Sequence, residues 1–405
     1  MRPRLLLIGL ALTLGLAACG GTKLLRQTPS TVTVGARPGV TQATPPIGIP
    51  AAATKNTTRV TGPDPAAEAA QVALAVYPSA APGTHPPAVA LAPSADWQAA
   101  LASAVLMAPP IRAPLLLSGP SSLPSSSAGA LSALAPTGSG AAGGAQVIRV
   151  GSVARPAGLR AASVNGTDPY ALAAGIDRFV SAAAGRSSSA VVIASANAPA
   201  YAMPAAGWAA ESGDPILFVN GTTIPAATRQ ALLAHQRPHI YVLGPPSVIG
   251  AGVLHALARY GQVKRVGASD PAANSVAFAV YRDPACPYGQ PCAHVPGSFG
   301  WAIRSPGHGY VLLNAGQPLA AAAAAPLSGS GSYGPALVLN RADSLPKSVL
   351  TFFLDYAKPG YTQEGPTAAV YNHGWVIGDP SRVSVGVQAQ LDDLLEAAAV
   401  PQSGH

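Results

Sequence analysis

Three stretches of the sequence open alike and decide the fold: Val60-Thr61-Gly62-Pro63-Asp64-Pro65, Val164-Asn165-Gly166-Thr167-Asp168-Pro169 and Val266-Gly267-Ala268-Ser269-Asp270-Pro271. An Asp at the N-cap accepts a hydrogen bond from a free amide of the first helical turn, and a Pro at the first helical position loses no needed donor. Asp-Pro is therefore a helix start. Each opener leads into an Ala-rich stretch and then a short apolar run ending in small residues, at 88–92, 190–194 and 310–313, the pattern of a buried strand. A small-residue helix is expected next, over 97–107, 201–210 and 319–325.

A second strand follows with a fixed exit. It starts at Pro114, Pro215 and Pro335 and reaches the next proline, Pro124, Pro225 and Pro346, after 10, 10 and 11 residues. After a third helix, a third strand closes on glycine: Val147-Ile-Arg-Val150-Gly151, Ile240-Tyr-Val-Leu243-Gly244 and Trp375-Val-Ile377-Gly378. Each is expected to run into a further helix. The last of these, 383–398, sets Asp392, Asp393 and Glu396 beside Val387, Leu391, Leu394 and Leu395, as an amphipathic helix does. Strands this apolar, alternating with helices, imply parallel sheets covered by helices, in three tandem open α/β modules.

Composition agrees. Of 405 residues only 10% are charged, against roughly 25% in an ordinary soluble domain, so ion-pair networks do not hold this chain together. Hydrophobic residues make up 49% but aromatics only 5%, which leaves Ala, Val, Leu and Ile to build the core and speaks against base-stacking platforms for single-stranded nucleic acid. The formal charge is +8 with no Lys/Arg-rich helix or basic tail, so nucleic acid is not the expected partner.

Arg2 and Arg4 precede the apolar run 5–16, which is too short for a membrane-spanning helix but suits an export signal. The run ends in Leu16-Ala17-Ala18-Cys19-Gly20, which resembles the lipobox of bacterial lipoproteins. The resemblance implies that Cys19 is acylated and becomes the first residue after cleavage, on a protein exported and held at the cell membrane facing the wall. Without Arg2 and Arg4 the charge falls from +8 to +6. From 19 to 55 the chain is Thr, Pro, Gly and Ala without apolar periodicity and reads as a flexible tether, with an end-to-end distance of roughly 30–35 Å. The expected division is thus a leader (1–18), a tether (19–55) and modules over 56–162, 163–264 and 265–400, the last with an insertion near 282–296. That insertion carries Cys286 and Cys292, which in an oxidising compartment read as a local disulfide. A metal site using His294 as third ligand is the other reading, and it lacks a fourth ligand at familiar spacing.

From Asn56 to Ala399 the pattern resembles the type 2 cell-wall-binding repeat, most clearly where Val191-Val-Ile-Ala194, Pro215-Ile-Leu217, Ile224-Pro225 and Ile240-Tyr-Val-Leu-Gly244 follow the order of that family. The resemblance implies three modules packed around a pseudo-threefold axis that bind an anionic wall polysaccharide without enzymatic activity. The chain departs from the family at Pro65, Pro169 and Pro271, where an Arg is usual, and at Gly151, Gly244 and Gly378, where the family carries paired glycines. It also lacks the Asp-Ala-Leu usual in the loop after the first strand.

Ligands of open α/β sheets sit outside the carboxyl ends of the strands. The polymer-binding candidates there and at the module junctions are Asn197, Asn220, Asn314, Asn340, Arg341, Arg59, Arg178 and Arg265. An Arg there can pair with carboxylate or phosphate, though it also suits a junction between modules, and Asn also completes turns. Gly138-Ser-Gly140-Ala-Ala-Gly143 matches a dinucleotide-binding string but precedes a strand inside a Ser/Gly loop, so no cofactor is expected. His235 and His239 are four apart with Pro238 breaking any helix between them, so no metal is expected either. No nucleophile elbow or zinc-protease motif is present, and no catalytic residue is named. The second reading of function is a small-molecule or peptide-binding lipoprotein that uses clefts between modules.

Overall fold

The structure is a computed structural model and describes residues 52–286, 292–295, 297–330, 333–361, 365, 367 and 369–399. The leader, Cys19 and nearly all of the tether lie outside the described residues. In chain order the elements begin with strands β1 (Ala52–Ala53) and β2 (Thr57–Val60), then α1 (Pro65–Val76), β3 (Val89–Pro93), α2 (Trp97–Ser103), β4 (Leu115–Ser118), α3 (Ser125–Leu134), β5 (Val147–Val150) and β6 (Ala161–Val164). The middle of the chain gives α4 (Pro169–Ala184), β7 (Ala190–Ser195), α5 (Pro199–Ala202), α6 (Pro204–Ser212), β8 (Ile216–Val219), α7 (Ala226–Ala234), β9 (His239–Leu243), α8 (Ala251–Leu257) and β10 (Gln262–Val266). The last part gives α9 (Pro271–Val280), β11 (Gly309–Asn314), α10 (Pro318–Ser328), β12 (Ala336–Leu339), α11 (Lys347–Phe352), β13 (Gly360–Tyr361), β14 (His373–Ile377), α12 (Val385–Leu395) and β15 (Ala398–Ala399).

The expected α/β class holds. All three Asp-Pro helices start as the sequence reads: Asp64 accepts from the amide of Ala67 at 2.9 Å, Asp168 from Ala171 at 2.8 Å, and Asp270 from Ala272 and Ala273 at 3.0 and 3.1 Å. The proline exits have a physical basis as well. Pro124 and Pro225 precede α3 and α7, and three residues later the buried hydroxyls of Ser127 and Thr228 donate to the carbonyls of Leu117 and Phe218, tying each helix to the strand before it.

The sheets are parallel and share one strand order, β4-β3-β5-β6, β8-β7-β9-β10 and β12-β11-β14-β2, with β1 added antiparallel to β2 in the last. The fourth strand of each ends on the first valine of an opener. These strands escape a periodicity reading because they lie at or near sheet edges and carry few large apolar residues: Thr57-Thr-Arg-Val60, Ala161-Ala-Ser-Val164 and Gln262-Val-Lys-Arg-Val266. Consequently β2, with no sheet before it in the chain, joins the sheet of the C-terminal strands, where Val60 lies opposite Ile377 and Arg59 opposite Val376. The glycines that close the third strands donate to the valines that end the fourth: Gly151 to Val164 at 2.8 Å, Gly244 to Val266 at 3.2 Å and Gly378 to Val60 at 2.9 Å. Their φ values of +65°, +104° and +102° lie in the left-handed region, which L side chains resist.

The same closure engages α12. Val387, Leu391, Leu394 and Leu395 are buried as the pattern predicts, while its acidic side holds the N-terminal segment: Asn56 donates to the Asp392 carboxylate at 2.7 Å and to Glu396 at 2.8 Å, and Lys55 pairs with Glu396. One expected helix is missing. After β5 the chain from Gly151 to Arg160 is non-helical, since Pro156 and Gly158 (φ +75°) break it, whereas α8 and α12 follow β9 and β14 as expected.

The helices α2, α6 and α10 pack on one another, which accounts for the Ala content: Ala320 to Ala325 of α10 are all buried. A Cβ added at Gly207 of α6 meets the Ser328 Oγ of α10 at 2.6 Å. Gly207→Val is therefore expected to destabilise the fold by about 1–3 kcal/mol through overpacking, read as a lowered urea midpoint; an unchanged midpoint defeats this account. Cys286 and Cys292 form the expected disulfide. Among the described residues no helix is long and apolar enough to cross a membrane, and no group of three or more His, Cys, Asp or Glu is arranged to hold a metal.

Candidate functional site at the carboxyl ends of the strands

The Arg candidates divide by what the fold does with them. Arg59 projects from β2 into the protein, only 3% exposed; its Nε donates to Gln388 Oε1 at 2.8 Å and its Nη1 to the Gly378 carbonyl at 2.7 Å. Arg265, at the matching place on β10, donates to the carbonyls of Gly244 and Ile249, both at 2.6 Å. Burial pulls the pKa of both guanidinium groups below the ordinary Arg value, with Asp379 opposing it at Arg59. Each arginine thus fastens the loop that follows the third strand.

The first sheet performs the same task from a neighbouring strand. Ser163 occupies the matching place on β6, and Arg149 lies directly opposite it on β5. From there the Arg149 side chain donates to the carbonyls of Val153 at 2.6 Å and Ala154 at 3.1 Å, and reaches the Ser163 hydroxyl at 3.3 Å. Sequence reasoning missed Arg149 because the repeat alignment looks for an Arg on the fourth strand; the signal available was the Arg-for-Ser exchange across one pair of strands.

Arg178 and Arg341 are exposed. Arg178, on α4, makes no hydrogen bond or ion pair among the described residues and borders a shallow hollow of about 160 Å³ with Gln230 and the alanines of α4 and α7. Arg341, just beyond β12, pairs with Asp343 at 3.1 Å with both side chains in solvent.

The Asn candidates shape the loops beyond the strand ends. Asn220 Oδ1 accepts from the amides of Thr222 at 3.0 Å and Thr223 at 2.7 Å, an Asx turn, and its carbonyl accepts from Asn197 Nδ2 at 2.8 Å. Asn314 accepts from Gly316 and donates to the Arg382 carbonyl. Asn340 reaches the start of α9, donating to Asp270 at 2.8 Å and accepting from Ala272 at 3.1 Å. Partial burial would raise the Asp270 pKa, but the Asn340 amide and the amides of Ala272 and Ala273 outweigh it and hold the carboxyl below the usual Asp value. Asn197 and Asn220 are thereby brought together beside the exit of the middle sheet, while Arg178 stands apart on a helix face.

His235 is not a metal partner of His239. It is buried, with Nε2 at 2.9 Å from Asp177 of α4 and Nδ1 at 2.7 Å from the Ser188 carbonyl. Burial lowers its pKa, and the Asp177 carboxylate together with the Ser188 carbonyl more than reverses this, so the imidazole lies above the ordinary His value.

No curated protein sequence matches the chain. Among the solved structures that resemble it, two do so over most of its length. Cwp6 from Clostridium difficile superposes with a TM-score of 0.63 at 14% identity, covering 84% of this chain and 48% of that one. Cwp8 from Clostridium difficile gives 0.60 at 18%, covering 85% of this chain and 53% of that one. The chain thus spans about half the length of either, and the likeness is one of fold. Residues 164–254, from the end of β6 into α8, match the family Cell wall binding domain 2 (CWB2).

Proposed function

We propose that the chain is an exported, non-enzymatic surface protein, anchored by acylated Cys19, whose α/β modules bind an anionic polysaccharide of the cell envelope. The observation that carries this reading is the CWB2 match over 164–254. It supports a cell-wall-binding surface protein. The module division at 56–162, 163–264 and 265–400 is part of the proposal, with each opener strand crossing to the neighbouring sheet. Arg178 and Arg341, whose guanidinium groups face solvent, are the cationic contacts, and Asn197 and Asn220 are the neutral ones. Arg59 and Arg265 serve the site indirectly, by fixing the loops at the strand ends.

The test is retention of the Cys19-less protein on purified wall fractions. It is expected to bind at low salt and to elute as ionic strength rises, because contacts between exposed charges are screened. Arg178→Ala is expected to lower the salt concentration at which it elutes. Absence of retention at low salt, or retention indifferent to salt, overturns the polyanion reading.

A further inference from the structure

A cavity of about 280 Å³ opens at the carboxyl end of the third sheet. The start of α1, the loop after β3, the start of α10 and the loop after β14 converge on it. Asp64, Glu68, Asp379 and Arg382 are its charged lining groups, so with Glu68 ionised the wall carries a net charge of −2 in a chain whose total is +8. Trp97 and Leu319 supply an apolar side.

Glu68 is the unusual member. It sits in the first turn of α1, only 4% exposed, and its Oε2 is buried with no hydrogen-bond partner; Gln317 Oε1, on the same cavity, is likewise unpartnered. Helix-start chemistry does not require the acid, because the residue four places after the opening Asp is Leu172 in the second segment and Asn274 in the third. A buried carboxylate without its hydrogen bonds is costly. Burial first, and then the charge of Asp379, push the Glu68 carboxyl up to about 7, with Arg382 opposing.

Both unpartnered atoms are acceptors and the surrounding charge is negative, so a group that pairs with them must bring donors and positive charge. A primary ammonium has three donors and a compact charge. We propose that this cavity binds a small free molecule bearing a primary ammonium group, taken by Glu68 and Gln317, with its carbon skeleton against Trp97 and Leu319. The volume lies at the small end of ligand pockets and suits a single ring or an amino-acid-sized skeleton. The proposal is independent of wall-polymer binding, since its readout contains no polymer.

Only the carboxylate form of Glu68 attracts the cation. The charged groups facing it are Asp64 on its own helix and Asp379 and Arg382 on the loop after β14; the loop after β3 and the start of α10 contribute none. With the full chain, calorimetric titration of cyclohexylamine, which stays charged throughout, is expected to show affinity rising about tenfold from pH 6 to pH 8. Cyclohexanol, the same ring with a neutral hydroxyl, is expected to bind at least about tenfold more weakly. Glu68→Gln keeps the shape and is expected to lose at least about tenfold in affinity together with the pH dependence. Should that variant fold poorly, Glu68→Leu, which copies the residue at Leu172, serves the same comparison. Equal binding of the amine and the alcohol, unchanged binding by the Glu68 variant, or no binding at millimolar amine overturns the proposal, and tighter capture of a lysine-containing peptide than of the free amine overturns the choice of a small ligand.

Discussion

Replacing Arg59 with Met is expected to destabilise the protein by about 2–6 kcal/mol, because two buried acceptors, the Gly378 carbonyl and Gln388 Oε1, lose their donor and each orphaned group costs about 1–3 kcal/mol. The effect is large because Arg59 sits at the seam where the N-terminal strand meets the C-terminal sheet. Arg341→Met removes the same guanidinium from solvent, where its pair with Asp343 is screened, and is expected to leave the urea midpoint unchanged. Comparable losses in the two variants would contradict the assignment of Arg59 to loop fastening. The comparison also separates structural from contact arginines: a wall-binding defect in R59M should follow the loss of folded protein, whereas one in R178A should occur at full stability.

Asp177→Asn is expected to cost about 2–4 kcal/mol near pH 6 and less as the pH rises, since it removes the carboxylate partner of a buried imidazolium. The sign follows from linkage. The His235 pKa is raised in the folded protein above its ordinary value of 6.5, so the pair contributes fully below about pH 6.5 and its contribution is lost as the pH climbs through the folded pKa. Glu68 acts in the same direction over a lower window, because a carboxyl raised from 4.5 to about 7 favours the folded state below pH 4.5 and loses that advantage up to about pH 7. The pH slope of the wild-type protein alone therefore mixes the two. The difference between wild-type and D177N stability, measured by urea denaturation from pH 5.5 to 8.5, isolates His235. A difference that stays constant or grows with pH would show that the imidazole is neutral in the folded state.

Much of the fold was legible because its signals are local. An Asp-Pro start needs only an amide three residues away, as at Asp64 and Ala67, and an apolar run flanked by prolines reads as a buried strand whatever it pairs with. The helix expected after β5 shows where local reading stops: Pro156 and Gly158 were visible, but the Arg149 grip on Val153 and Ala154 that sets the loop in its place was not. Among the candidate residues, the Asn side chains do lie at or just beyond strand ends, whereas Arg178 lies on a helix face, and what each of them holds was less legible. Asn220 and Asn314 do complete turns, while Asn340 caps a helix whose Asp lies 70 residues earlier in the chain, a distance no spacing rule covers. Glu68 carried no signal in the sequence beyond being an acid in a first helical turn, and its interest comes entirely from the loops after β3 and β14 and the start of α10 that converge on its cavity.

The sequence by itself determined the alternation of parallel strands and helices, the three helix starts and the small-residue helices, because each depends on contacts within a few residues. Only the tertiary structure decided that the opener Val60 pairs with the closer Gly378, that Arg59 and Arg265 point inward to backbone carbonyls, and that Asp392 and Glu396 hold Asn56 rather than face solvent. The reason is the same in each case. A polar edge strand satisfies its hydrogen bonds equally well on any free sheet edge, and a long cationic side chain donates equally well to water or to carbonyls. Which partner it meets depends on segments more than 300 residues apart for Arg59 and Asn56, and those are brought together only by the packing of the whole core.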